Sequence, residues 1–242
     1  MPRSKAQPGR WPTSRWSRSP LIPLRLFARR AVTVGNLAML LAGACLMPMW
    51  YLLSLYMQQV LGLAPLLTGL GFLPHSLVTV VVGAHVAPWL LGRVSARVVF
   101  AVGSIVAAAG FGWQSRMDLA DGYLSGVLGP AVLISVGVGL LNTPLTVLVT
   151  TGVCTADAGA ASGLMNTTKQ VGGALGLAAL LTAASITTGG HLAGSPAALV
   201  DGFSVAFATM AALLLAVAAL AALLPRHPSA QAFRLPAGSA GS

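Results

Sequence analysis

The chain has 242 residues, 56% of them apolar and 7% charged, where an ordinary soluble domain carries about 25% charged residues. That deficit excludes a water-soluble globule and selects an integral membrane protein. The net charge of +10 does not make it a nucleic-acid binder, because eight of the fourteen basic residues crowd into the first thirty positions beside the first apolar run, where positive-inside topology puts them.

Residues 1–20, rich in Pro, Ser and Arg, lack a core-forming pattern and are expected to be disordered. From Ala31 to Gly92 there is no Asp, Glu, Lys or Arg. Two spans are expected there, at 35–57 and 67–90. Arg29-Arg30 ahead of Leu41-Ala42-Gly43-Ala44-Cys45 looks like a twin-arginine signal with a lipoprotein cleavage site, but the apolar run continues to about Gln58. That is far beyond the roughly 7 to 15 residues of a signal core. The centre of the first span reads Met47-Pro48-Met49-Trp50-Tyr51. Proline in a span frees a carbonyl and bends the helix, and Met beside Trp and Tyr makes an adaptable, polarisable wall. Met47, Trp50 and Tyr51 are therefore candidates for a substrate path, suited to lipophilic cations or neutral molecules; the alternative is a packed helix with interfacial aromatics. In the second span His75 and His85 fall on different faces, with no carboxylate partner in the membrane. A lone histidine in a span is ordinarily a hydrogen-bonded packing residue, and His75 is kept as a path candidate beside that reading.

Arg93 and Arg97 are one turn apart in the connection that follows, as topology signals first and gating contacts second. The third span, 98–115, is the shortest and is expected to use Gln114 or Arg116 as a snorkelling end. The fourth, 126–150, repeats the pairing of polar group and proline in Asn142-Thr143-Pro144. In the fifth, 164–186, Asn166, Gln170 and Gly173 share a face, while Gly172 and Gly176 form a small-x-x-x-small pair. Helix packing is the first expectation for those glycines, with a role in the substrate path second. Lys169 is expected to snorkel to the cytoplasmic surface rather than act as a buried ligand. The sixth span is 203–224, and the tail 226–242 is expected to be disordered.

These segments lack the alternation of a barrel, so helices satisfy the backbone. An even number of spans with the basic N-terminus inside places both termini in the cytoplasm of a multi-pass cell-membrane protein. Arg93, Arg97, Arg226 and Arg234 then lie inside, and Arg116, Asp118, Asp121 and Asp201 outside. No catalytic, metal or cofactor site is expected. Cys45 and Cys154 have no metal spacing. Ser162, in a Gly-x-Ser-Gly-like string, has no histidine base within reach, and Gly137-x-Gly139 lacks the strand-turn-helix context of nucleotide binding.

Residues 157–177 read DAGAASGLMNTTKQVGGALGL. This string resembles a motif of the fourteen-span drug/proton antiporters of the major facilitator superfamily, Asn-Thr-x-Arg-Gln-x-Gly-Gly-x-x-Gly. Asn166, Thr167, Gln170, Gly172, Gly173 and Gly176 match, with Lys169 in the place of Arg. Pro20 to Arg30 is similar to the lead-in to the family's ninth span, 58–74 to the linker and start of its tenth, and Pro88, Arg93 and Arg97 to a degenerate cytoplasmic loop motif. The likeness runs over about residues 20–225; residues 1–19 carry none of these motifs. It implies an all-α six-helix transmembrane domain over 21–225, one half of the fold, built as 3+3 inverted repeats in which the first and fourth spans line the cavity. It further implies proton-coupled efflux of a small lipophilic substrate. The expected partners are the lipid bilayer and either a missing N-terminal bundle or a second copy. The alternative function is a non-transporting scaffold or dimerising half-bundle.

Overall fold

The computed structural model describes residues 30–150, 158–187 and 195–223. The two segments expected to be disordered, 1–20 and 226–242, lie outside the described residues, as do Cys154 and Asp157. Six helices are long and apolar enough to cross a membrane: α1 Val32–Val60, α2 Pro65–Leu91, α3 Ala96–Gln114, α4 Tyr123–Val147, α5 Gly159–Ile186 and α6 Pro196–Leu223. Among the described residues no strand occurs. The all-α class and the six-span bundle expected from the charge-free segments are both present.

Local sequence explains how these helices begin and end. α1 runs through Pro48 and closes in a π turn, Tyr56–Val60. The chain then reverses at Gly62, whose φ of 67° lies in the left-handed region that a side chain disfavours. Pro65 starts α2, where a missing N–H costs nothing. α2 carries a second π turn at Val82–Val86 and α4 opens on a third at Tyr123–Leu128. Ser195 caps α6, its hydroxyl accepting from the Ala198 N–H at 3.2 Å, with Pro196 in the first helical position. The third span does not end by snorkelling its glutamine. Gln114 is fully buried and its amide donates to the Gly126 carbonyl in the opening turn of α4. A buried amide without that bond would cost about 1–3 kcal/mol, which outweighs reaching for the interface.

The packing has an internal two-fold logic. α1 lies along α5, α4 lies along α2, and α3 lies along α6, which are the pairings expected when the first three helices and the last three exchange roles. Close approach of backbones makes two of these contacts and the α3–α4 seam possible. A Cβ at Gly172 would sit 2.1 Å from the Leu40 carbonyl oxygen, and one at Gly137 would sit 2.3 Å from the Ala107 nitrogen. Only glycine fits such crossings. The largest fully buried side chains include Tyr56, Phe111, Phe203 and Phe207. Phe111 and Phe207 stack at 6.1 Å between α3 and α6. By contrast α2 presents Leu66, Leu70, Leu73 and Leu77 outward, an apolar face matched to lipid rather than water.

Candidate functional site

The α1–α5 crossing fixes one wall of the site. Besides Gly172 on Leu40, Gly176 meets the Ala44 backbone, Gly173 meets the Met47 side chain and Gly43 meets the Lys169 carbonyl. Pro48 deprives the Ala44 carbonyl of its helical donor, so the interrupted ladder of α1 and the glycines of α5 meet at the same place. Gly172, Gly173 and Gly176 thus all lie in the α1–α5 crossing. It leaves α5 no freedom to rotate about its axis, and Lys169 is held one turn from Gly172.

Across from that wall, Trp50 stands between Phe72 and His75. Its ring centroid is 4.9 Å from Phe72 and 4.7 Å from His75, the latter edge-on at 89°. His75 is buried and tied to α4. Its Nδ1 lies 3.3 Å from the Ala131 carbonyl and 2.7 Å from Ser135 Oγ, while the Ser135 hydroxyl lies 2.6 Å from the same carbonyl. The Ser135 hydroxyl and the Ala131 carbonyl thus hold the imidazole of His75 by its Nδ1 edge.

These groups border a cavity of about 250 Å³ between α1, α2, α4 and α5. Leu46, Met47, Met49 and Trp50 form its apolar side; His75, Thr79, Asn142 and Lys169 form its polar side. Thr79 Oγ1 is buried with no hydrogen-bond partner among the described residues. Of the residues singled out from sequence, Met47, Trp50, His75 and Asn142 are brought together here. Tyr51, Asn166 and Gln170 are instead exposed on α1 and α5. Thr143 is half-buried and donates to the Gly83 carbonyl at 3.2 Å, in the π turn of α2 where the helical ladder is interrupted. Arg93 folds back along α2, its guanidinium 3.8 Å above the Trp89 ring and 3.3 Å from the Trp89 carbonyl; Arg97 is half-buried at the start of α3. Neither arginine is near the cavity lining.

Thr79 and Lys169 are among the lining residues that a reading of the sequence does not place there. Thr79 is one turn from His75 on the same face, a spacing that marks it once His75 is known to point inward. Lys169, expected to snorkel to the cytoplasmic surface, is half-buried three turns into α5 and borders the cavity. No cluster of three or more metal-ligating residues occurs among the described residues.

Comparison with known proteins fits this architecture. The Major Facilitator Superfamily matches residues 2–177; the match takes in residues 2–19, which carry no motif visible by eye. The chain is 54% identical over 212 residues to the cephamycin export protein CmcT of Amycolatopsis lactamdurans, covering 88% of this chain and 43% of that protein. It is 36% identical over 214 residues to the puromycin resistance protein pur8 of Streptomyces alboniger, covering 85% and 42% respectively. A lincomycin resistance protein of Streptomyces lincolnensis is 31% identical over 208 residues, with 85% of this chain and 41% of that protein covered. The chain thus spans about two-fifths of the length of these relatives. With a family match over most of its length and six membrane-length helices paired as inverted repeats, the chain belongs to the major facilitator superfamily.

Proposed function

We propose that these six helices form the C-terminal half of a proton-coupled efflux antiporter, with the substrate held in the cavity between α1, α2, α4 and α5. The observation that carries the reading is the cavity itself: Met47, Met49 and Trp50 give an adaptable apolar wall, opposed by His75, Thr79 and Asn142. It lies where the pseudo-equivalent helices α1 and α4 face each other, the place at which transporters of inverted-repeat design bind substrate. The similarity to export and resistance proteins supports transport over a membrane scaffold.

The basic N-terminal segment, Arg93 and Arg97 favour a cytoplasmic N-terminus, and six spans return the C-terminus to the same side of the cell membrane. Exposed Tyr51, Asn166 and Gln170 lie on helices that a second bundle would cover, and they complete the path from that side. The acids Asp118 and Asp121 lie between α3 and α4, and Asp201 lies in the opening turns of α6. None of these three borders the cavity. A coupling carboxylate is therefore to be sought outside the described residues.

A chimera tests the reading. The chain replaces the segment of the cephamycin exporter that it matches, in a host without its own exporter. Cephamycin efflux is expected to persist in the chimera and to fall at least tenfold in its Trp50→Ala and Asn142→Ala forms. A chimera that reaches the membrane and exports nothing would overturn the proposal.

A further inference from the structure

The charge balance of the cavity is one-sided. Lys169 supplies a cation at the lining, and among the described residues no carboxylate borders it. The Lys169 ammonium makes no hydrogen bond or ion pair among the described residues, and the same holds for the Asn142 side-chain amide. Thr79 Oγ1 is buried and without a partner on the same lining. Lysine brings three donors and asparagine two, and Thr79 and Ser76 one hydroxyl donor each, whereas the side-chain acceptors of these four residues are the asparagine oxygen and the two hydroxyl oxygens. A positively charged, donor-rich pole facing Trp50, Met47 and Met49 is complementary to an anion with an apolar body. It disfavours an organic cation, whose charge would meet that of Lys169.

The position of that charge is built in. The Lys169 backbone packs on Gly43, and Gly172, Gly173 and Gly176 lock the following two turns of α5 to α1. That packing fixes the face of α5 on which Lys169 stands. Resting on the efflux reading above, we propose that the cavity selects amphipathic organic anions, carboxylates above all, and that Lys169 is the residue that determines this specificity. This turns aside the lipophilic cations to which the Met, Trp and Tyr cluster of α1 alone points.

The test is binding to the 242-residue chain in phosphatidylcholine nanodiscs, followed by quenching of Trp50 fluorescence against a Trp50→Phe reference. The probes share one apolar body: 3-phenylpropionate, 3-phenylpropionamide and 3-phenylpropylamine. A charge-assisted hydrogen bond predicts that the carboxylate binds about tenfold or more tightly than the amide or the amine. Lys169→Gln is expected to abolish that preference and Lys169→Arg to keep it. Equal binding of all three probes, tighter binding of the amine, or a preference that survives Lys169→Gln would overturn the assignment while leaving the efflux reading in place. Saturable binding of none of them would overturn both. Repeating the titration in phosphatidylglycerol nanodiscs separates a free anion from a lipid headgroup: unchanged affinity supports the free anion, and loss of carboxylate binding would make the headgroup the ligand and overturn the proposal.

Discussion

His75 and Lys169 show how far single residues can be read. The ten-residue separation of His75 and His85 places them on different faces, and His75 is indeed buried while His85 is exposed. What the sequence does not display is the partner from another helix, Ser135, because that contact crosses from α2 to α4. Ser135→Ala is expected to lower stability by about 1 kcal/mol, the ordinary net worth of a buried hydrogen bond, read from thermal unfolding in a mild detergent. The surroundings of Lys169 are hidden from the sequence for a different reason. The stretch from Ala158 to Gly163 is rich in small residues and nearly neutral in hydropathy, so an apolar boundary falls at Leu164. Alanine is the strongest helix former, the helix begins at Ala158, and about three turns of helix therefore precede Lys169.

At the scale of elements, glycine position separates packing from propensity within one helix. Gly163 and Gly172 both lie in α5, yet a Cβ on Gly163 meets nothing within 4 Å while one on Gly172 meets Leu40 backbone at 2.1 Å. Gly163→Ala is therefore expected to stabilise the chain by up to about 1 kcal/mol through helix propensity. Gly172→Ala is expected to destabilise it by about 1–3 kcal/mol, since α1 and α5 must separate. Unfolding of the two variants side by side in graded denaturing detergent checks the opposite signs. The Gly172 and Gly176 spacing announces a close crossing, and the crossing exists. The partner could not be read from it, because small-x-x-x-small says that a backbone approaches without saying whose. The π turns of α1, α2 and α4 were also invisible, as they answer to tertiary contacts such as Thr143 on Gly83 rather than to local composition.

For the whole molecule, the number of spans follows from the absence of charge and from turn residues, which is why six helices were legible before any packing was. Their pairing into α1 with α5 and α4 with α2 was not, since it depends on which faces fit. The proposed orientation predicts that a reporter inserted at Asp121 is active only outside the cell and one fused after Ser242 only inside; the reverse pattern would invert the topology. The central claim is that the cavity between α1, α2, α4 and α5 handles substrate. Its most direct measurement is efflux by the chimera with the cephamycin exporter, comparing Trp50→Ala and Asn142→Ala with Ile105→Ala, which lies on an exposed face of α3. The account predicts at least a tenfold loss for the two cavity variants and none for Ile105→Ala at equal membrane abundance. Full efflux in both cavity variants would contradict it.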